Sequence, residues 1–131
     1  MYDSVLVPTD GSAGTKETLS HAIALATDND ATLYVLSVID KRIYLAADKE
    51  DQDDVLETLT EEAEAAVEEA AQTARDAGLE VVTEVRDGIP YREILRHVED
   101  TGIDLVAIGT HGRTGRDRLA NMGSVTERVV K

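Results

Sequence analysis

The sequence predicts a single α/β domain built on an open parallel sheet with helices on both faces. Three observations predict it. The chain has 131 residues, enough for one domain with one core. Short apolar runs of strand length alternate with longer segments in which apolar residues recur every three to four positions. Alternation of this kind is typical of parallel strands joined by right-handed helical crossovers.

The first half of the chain supplies two strands and one helix. Residues 4–8 (SVLVP) form an apolar strand, and residues 9–12 (TDGS) follow as a turn. A helix comes next and ends in the turn formers at 28–30. Its apolar face contains Leu19, Ala22, Ile23 and Ala26. Residues 31–39 (ATLYVLSVI) are rich in β-branched and apolar side chains, which is typical of a strand buried on both faces.

Residues 40–54 have no clear period, and we predict a loop there. A long amphipathic helix follows and ends before Gly78, a residue type favoured just after a helix. Its apolar positions are Val55, Leu59, Ala63, Val67, Ala70, Ala74 and Ala77. Its outer face carries Glu57, Glu61, Glu62, Glu64, Glu68 and Glu69. We interpret this acidic row as a solvated face rather than as a surface that binds cations or a partner.

The last predicted elements are a strand at 79–86, a helix that begins at Pro90, and a strand at 103–108. The helix buries Ile94, Leu95 and Val98 and stops near Gly102. His21 and His97 fall within helices without ligand-like spacing, so we assign both to structural or surface roles. In an open parallel sheet, ligands bind at the carboxyl ends of strands where the strand order reverses. If the first and fourth strands are neighbours there, both ends face one crevice.

A glycine-rich segment follows the fourth strand and leads into a helix near residue 125. Gly109, Gly112 and Gly123 allow close backbone approach, and the helix N-terminus presents free N–H groups to an anion. His111 and three arginines (Arg113, Arg116 and Arg118) make the segment basic. It matches neither the P-loop pattern nor the dinucleotide fingerprint. The spacing alone leaves two interpretations open: a phosphate site, or a flexible loop with solvated arginines.

The composition limits the classes of function. The net charge is −14, with 27 acidic and 13 basic residues, which argues against general nucleic-acid binding. The absence of cysteine excludes disulfides and thiolate chemistry and fits a reducing cytoplasm. No apolar run is long enough to cross a membrane, and no signal-like segment is present. The acidity and the scarcity of large apolar residues favour a halophilic protein, although an ordinary acidic protein with one acidic helix fits too.

Four segments of the sequence resemble the universal stress protein family, specifically its ATP-binding branch. They are VLVPTDGS (5–12), SVID (37–40), DLVAIGTHGRTG (104–115) and GSVTERVV (123–130). The specificity lies in their order and distances, since no one segment is diagnostic. The resemblance covers essentially the whole chain. It implies a Rossmann-like fold of the adenine nucleotide alpha hydrolase type, here in an acidic, haloarchaeal-type member.

The nucleotide signature of that family is G-x2-G-x9-G-[ST]. Gly109, Gly112 and the pair Gly123-Ser124 match it, but the second spacer has ten residues here, 113–122. Family members usually continue into a fifth strand that pairs in a dimer. The domain at 1–131 stops before this strand: either the strand lies outside the given sequence or the protein lacks it. The resemblance implies a homodimer, but pairing through the fifth strand does not follow for this chain.

By this resemblance, Asp10 binds the ribose, Pro8 and Thr9 shape the adenine pocket, and Val38 and Ile108 pack against the adenine. The remaining predicted nucleotide contacts come from Gly109, His111, Gly112, Arg113, Gly123, Ser124, Val125 and Thr126. Within that set the hydroxyls of Ser124 and Thr126 assist the backbone in binding the phosphates. Asp10 and Ser124 are also good helix or turn caps; at Ser124 capping and phosphate binding are compatible.

The resemblance implies a protein that binds ATP, or AMP or ADP, with Mg²⁺ or Mn²⁺ on the phosphates, and serves as a stress-response regulator or switch. We assign no catalytic residue and no protein metal ligand, because no base or charge clamp for phosphoryl transfer can be identified. The acidic residues at 48–54 more plausibly solubilise their segment than bind a cation. Slow ATP hydrolysis is compatible with this function. Two alternatives are a true ATPase or nucleotide hydrolase assisted by His111 and the arginines, and a module that has lost the nucleotide and binds a protein partner.

Overall fold

The computed structural model describes residues 2–10 and 13–108, which contain four strands and four helices. The strands are β1 (Ser4–Pro8), β2 (Thr32–Asp40), β3 (Val81–Gly88) and β4 (Leu105–Val106). The helices are α1 (Ala13–Asn29), α2 (Lys41–Leu45), α3 (Gln52–Asp76) and α4 (Pro90–Thr101). Strands and helices alternate as the sequence predicts, so the α/β fold class is confirmed.

The described strands form one parallel sheet in the order β3-β2-β1-β4. The chain moves outward from β1 through β2 to β3 and then returns to the other side of β1 for β4. The strand order therefore reverses between β1 and β4. The condition that the sequence left open is met: the first and fourth strands are neighbours, with Val5 opposite Leu105 and Leu6 opposite Val106.

Helices cover both faces of the sheet. Side chains alternate along each strand, so successive residues pack against helices on opposite faces. Odd-numbered positions such as Leu33 and Val35 pack with α1 and α3, on what we call the α1–α3 face. Even-numbered positions such as Leu6 and Leu36 pack with α4, on the α4 face. The α1–α3 face receives mostly alanines from its helices, which lets these helices lie close to the strands.

The amino ends of β1 and β4 are joined by reciprocal hydrogen bonds. The Asp104 carboxylate accepts from the backbone N–H groups of Asp3 (2.7 Å) and Ser4 (3.2 Å). The Ser4 hydroxyl donates to the Gly102 carbonyl (3.3 Å) and accepts from the Asp104 N–H (3.0 Å). These bonds hold β4 in place beside β1, which matters because only two residues of β4 have strand geometry.

The local signals at α4 act as predicted. Pro90 occupies the start of the helix, where its missing N–H has no intrahelical role. Gly102 caps the other end at φ 75°, in the left-handed region that favours glycine. On the inner face Ile94 and Val98 are buried, while Leu95 is partly buried.

Several predicted boundaries were wrong. Strand geometry in β4 is confined to Leu105–Val106 rather than 103–108, and β3 begins at Val81 rather than at residue 79. Residues 40–54 are not one loop: α2 occupies Lys41–Leu45, and α3 begins at Gln52 rather than at Val55. The helix α2 forms because the Asp40 carboxylate caps it, accepting from the Arg42 N–H at 3.0 Å. The strand β3 runs to Gly88 rather than to residue 86, because its pairing with β2 continues to the Asp40–Gly88 pair.

Candidate functional site

The carboxyl edge of the sheet brings together five predicted site residues. Pro8 ends β1, Thr9 and Asp10 follow it, Val38 lies near the end of β2, and Ile108 lies just beyond β4. The ladder continues past the strand ends, because the Thr9 N–H donates to the Leu36 carbonyl at 2.8 Å. The Ala107 N–H likewise donates to the Leu6 carbonyl at 2.9 Å. The residues therefore share the edge at which the strand order reverses.

Val38 and Ile108 form an apolar wall on the α4 face. Both are partly buried and pack against the cluster that contains Leu6 and Leu36. Tyr91, from the first turn of α4, packs against the same cluster, and the guanidinium of Arg92 lies 5.7 Å from its ring centre. The sequence analysis did not assign Tyr91 to the site. The available signal was Pro90, which marks the start of a helix and so places Tyr91 in its first turn. A flat apolar group can rest against this wall.

Asp10 is exposed and is contacted from α1. The Thr15 hydroxyl donates to Asp10 Oδ1 at 3.3 Å, and the Thr9 hydroxyl donates to Thr15 Oγ1 at 3.2 Å. Thr15 is buried, at 4% exposure. Thr9 and Thr15 also line a cleft of about 200 Å³ between α1 and α3, with Leu19 and Ala70 among its walls. The Thr9 side chain therefore lies on the opposite face from Val38 and Ile108.

A second group of polar side chains lies at the ends of β2 and β3. The Arg42 guanidinium donates to both carboxylate oxygens of Asp40, at 2.9 and 2.7 Å, and these bonds lower the pKa of Asp40. The Tyr44 hydroxyl donates to the Asp87 carboxylate at 2.9 Å, which raises the pKa of Tyr44. These contacts tie α2 to the end of β3. Sequence reasoning missed them because it placed α2 in a loop; the signal was Asp40, a good cap before a helix.

The other predicted nucleotide contacts lie outside the described residues. They are Gly109, His111, Gly112, Arg113, Gly123, Ser124, Val125 and Thr126. The roles assigned to them, and the effect of the ten-residue spacer at 113–122, remain predictions.

Two further features bear on metals and membranes. The carboxylates of Asp48, Glu50 and Asp51 approach within 4.8 Å of one another, but all three residues are exposed. We assign no metal site to them, because an exposed acidic cluster forms readily without a bound ion.

Among residues 2–10 and 13–108, no helix has both the length and the apolar character needed to span a bilayer.

The chain is similar to two proteins of Methanocaldococcus jannaschii. It is 35% identical to universal stress protein MJ0531 over 132 residues, covering 100% of this chain and 77% of that one. It is 32% identical to universal stress protein MJ0577 over 146 residues, covering 100% of this chain and 90% of that one. The solved structure of MJ0577 superposes with a TM-score of 0.78 at 35% identity, over 99% of this chain and 89% of that chain.

A third relative shares the fold at lower identity. A universal stress protein solved in complex with cAMP superposes with a TM-score of 0.70 at 23% identity, over 98% of this chain and 91% of that chain. The family model described as "Universal stress protein family" matches residues 1–131. The four segments, the strand order and these relatives agree, and the chain belongs to the universal stress protein family.

Proposed function

We propose that this protein binds ATP at the carboxyl edge of the sheet and acts as a stress-response regulator or switch. The observation that carries the proposal is the adjacency of β1 and β4 at the reversal of strand order. This adjacency places Asp10 and Ile108 on one edge, where ligands of open parallel sheets bind.

The chemistry of the described residues suits an adenosine. The exposed Asp10 carboxylate can accept from two ribose hydroxyls, and Val38 and Ile108 supply an apolar wall for the adenine. The relative solved with cAMP holds an adenine nucleotide on the same fold. The phosphates, with Mg²⁺ or Mn²⁺, would bind the glycine segment at 109–126, and AMP or ADP would use the same adenosine pocket.

We propose binding rather than rapid turnover. Phosphoryl transfer needs a positioned nucleophile and charge clamps at the γ-phosphate, and we identify no base in the sequence for that role. The competing proposal is an interaction module without a nucleotide. One observation favours it: the spacer at 113–122 is one residue longer than the family signature.

We further propose a cytoplasmic, halophilic homodimer. Support for halophily comes from the net charge of −14 and from α3, whose outer glutamates are all exposed. Exposed carboxylates keep a protein soluble through mutual repulsion, and salt screens the repulsion that opposes a compact fold.

The decisive experiment is a thermal-shift titration with ATP, ADP and AMP, with and without Mg²⁺, in high and low salt. A ligand that binds only the folded state raises the melting temperature once its concentration exceeds Kd. We expect the largest shift with ATP. Millimolar nucleotide without any shift would instead favour the interaction module.

Two variants locate the site. Asp10→Ala removes the proposed ribose acceptor, and Gly112→Val places a branched side chain where the backbone must approach the nucleotide. Each is expected to weaken ATP binding at least about tenfold. Asp10→Ala removes hydrogen bonds to a charged group, each worth about 1.5–3 kcal/mol, and Gly112→Val blocks the close approach of the backbone. Asp28→Ala, at an exposed aspartate near the far end of α1, is the matched control and should bind normally. Unchanged affinity in both site variants would refute this location.

A further inference from the structure

We propose that Thr15 is a positioning residue for the ribose of the bound nucleotide. It acts through Asp10, whose carboxylate it orients. This inference rests on the proposed function, because it assigns a further residue to the same site.

The geometry places one buried hydroxyl between two residues of the site. Thr15 lies in the first turn of α1 and is only 4% exposed, so its side chain is fixed by packing. Its hydroxyl donates to Asp10 Oδ1 at 3.3 Å. It also accepts from the Thr9 hydroxyl at 3.2 Å. A hydroxyl can accept one hydrogen bond while it donates another, so Thr15 links Thr9 to Asp10.

This chain of hydroxyls restrains the carboxylate of an exposed residue. An exposed aspartate samples several rotamers, and binding a ribose requires one of them. A carboxylate offers about four acceptor positions, and the bond from Thr15 takes one of them. The orientation is therefore set before the nucleotide arrives, which reduces the entropy lost on binding.

Thr15 acts from the opposite side of the sheet to the adenine wall. Thr9 and Thr15 line the cleft between α1 and α3, whereas Val38 and Ile108 pack on the α4 face. Thr15 is therefore not part of the proposed adenine wall. Its effect on the nucleotide should reach only the ribose hydroxyls that Asp10 binds.

The test compares ATP with 2′,3′-dideoxy-ATP, which lacks both hydroxyls that Asp10 would bind. Thr15→Val keeps the shape of the side chain and removes its hydroxyl. We expect the Kd for ATP to rise about fivefold to tenfold, the cost of immobilising one side chain. The Kd for 2′,3′-dideoxy-ATP should stay unchanged. Thr15→Ser keeps the hydroxyl and should restore ATP binding.

A second set of variants separates positioning from folding. In an Asp10→Ala background, Thr15→Val should have no additional effect on ATP affinity, because its only route to the ribose is gone. If Thr15→Val does not fold, Thr15→Ala replaces it in the same comparison. Equal losses for the two nucleotides would show a purely structural role and overturn the proposal. So would unchanged ATP affinity in the valine variant.

The failure of this inference is distinguishable from the failure of the site. If Asp10→Ala weakens ATP binding while Thr15→Val does not, Asp10 binds the ribose without help from Thr15. If the wild-type protein binds neither nucleotide, both proposals are overturned together.

Discussion

The two faces of the sheet bury different kinds of side chain. On the α1–α3 face, the buried residues contributed by α3 are small and apolar. They are Ala63, Ala66, Val67, Ala70, Ala71 and Ala74. On the α4 face, the buried residues of the helix include Glu93 and His97 as well as Ile94 and Val98. Among the described residues, these two are the buried titratable side chains. One face is therefore packed without charge, and the other includes a carboxylate and an imidazole.

The buried carboxylate is part of a charge network between β3 and α4. Glu93 is paired with Arg96 at 2.7 Å and with Arg86 of β3 at 3.7 Å. Arg86 also pairs with Glu84 and, at 3.7 Å, with Asp100. A buried charge is costly unless it is paired, so the partners of Glu93 restrict where α4 can pack. Directional contacts thus add to the apolar contacts of α4, whereas the buried residues of α3 are all apolar.

This difference has a consequence for the site. The proposed adenine wall lies on the α4 face, so its position depends on how α4 and its neighbours pack. The proposed ribose acceptor, Asp10, is oriented from α1, on the other face. Substitutions on the two faces should therefore change the affinity for the nucleotide differently, even when they lower the free energy of unfolding by the same amount.

Two leucines of β2 provide the sharpest comparison and the largest expected effects. Leu33 and Leu36 are both fully buried, on the α1–α3 face and the α4 face respectively. Leu→Ala at either position should lower the free energy of unfolding by about 2–5 kcal/mol, because a cavity replaces the side chain. Urea denaturation measures this. Only Leu36→Ala should also weaken ATP binding, since Leu36 shares its cluster with Val38 and Ile108. Equal effects on affinity would contradict the division between the faces.

A smaller loss is expected at Gly88, where the end of β3 meets α4. A Cβ at this position would lie 2.7 Å from Glu93 Oε2 and 2.9 Å from its Cγ. Gly88→Ala must displace the Glu93 side chain from its guanidinium partners, and we expect a cost of about 1–3 kcal/mol, as for other overpacked sites. The same substitution in a Glu93→Ala background should cost much less, because the colliding atoms are gone. Additive costs would show that the contact with Glu93 is not the cause.

Much of the fold was predictable because its signals are local. The strand β1 was predicted at its observed bounds, since the apolar run SVLVP is followed directly by turn residues. The limits of α4 followed from Pro90 and Gly102. The helix α2 was missed because its five residues are too few to show a period. The adjacency of β1 and β4 was predicted only as a condition, because strand order depends on contacts distant in sequence.

The site was harder to predict than the fold. Val38 and Ile108 were assigned by resemblance, and the structure places them on one wall. Nothing in the sequence indicates that Thr15 reaches Asp10, because that contact depends on how the start of α1 lies relative to the end of β1. The burial of Glu93 could not be predicted either. A glutamate on the inner side of a helix is not expected to be buried until its partner Arg86 is known to lie on the adjacent strand.

The smallest predicted effect concerns His97, the other buried titratable residue on α4. Its ring lies edge-on to Tyr34, with centroids 5.8 Å apart, and among the described residues its Nδ1 has no hydrogen-bond partner. Burial lowers the pKa of His97 below its ordinary value of 6.5, and the charge of Arg86 acts in the same direction. The carboxylates of Glu84 and Asp100 oppose the shift. His97 is therefore neutral in the folded protein at pH 7.

Because the pKa of His97 is lower in the folded state than in the unfolded state, its contribution to stability is complete above about pH 6.5 and is lost as the pH falls through the folded value. The slope cannot exceed about 1.4 kcal/mol per pH unit, the limit for one proton. Urea denaturation between pH 7.5 and 5 measures it in the wild type and in His97→Gln. The variant should lose less stability on acidification, whereas His21→Gln, at an exposed histidine of α1, should follow the wild type. If His97→Gln and His21→Gln respond alike, the imidazole is not the acid-sensitive group of the α4 face, and the charge network alone distinguishes the two faces.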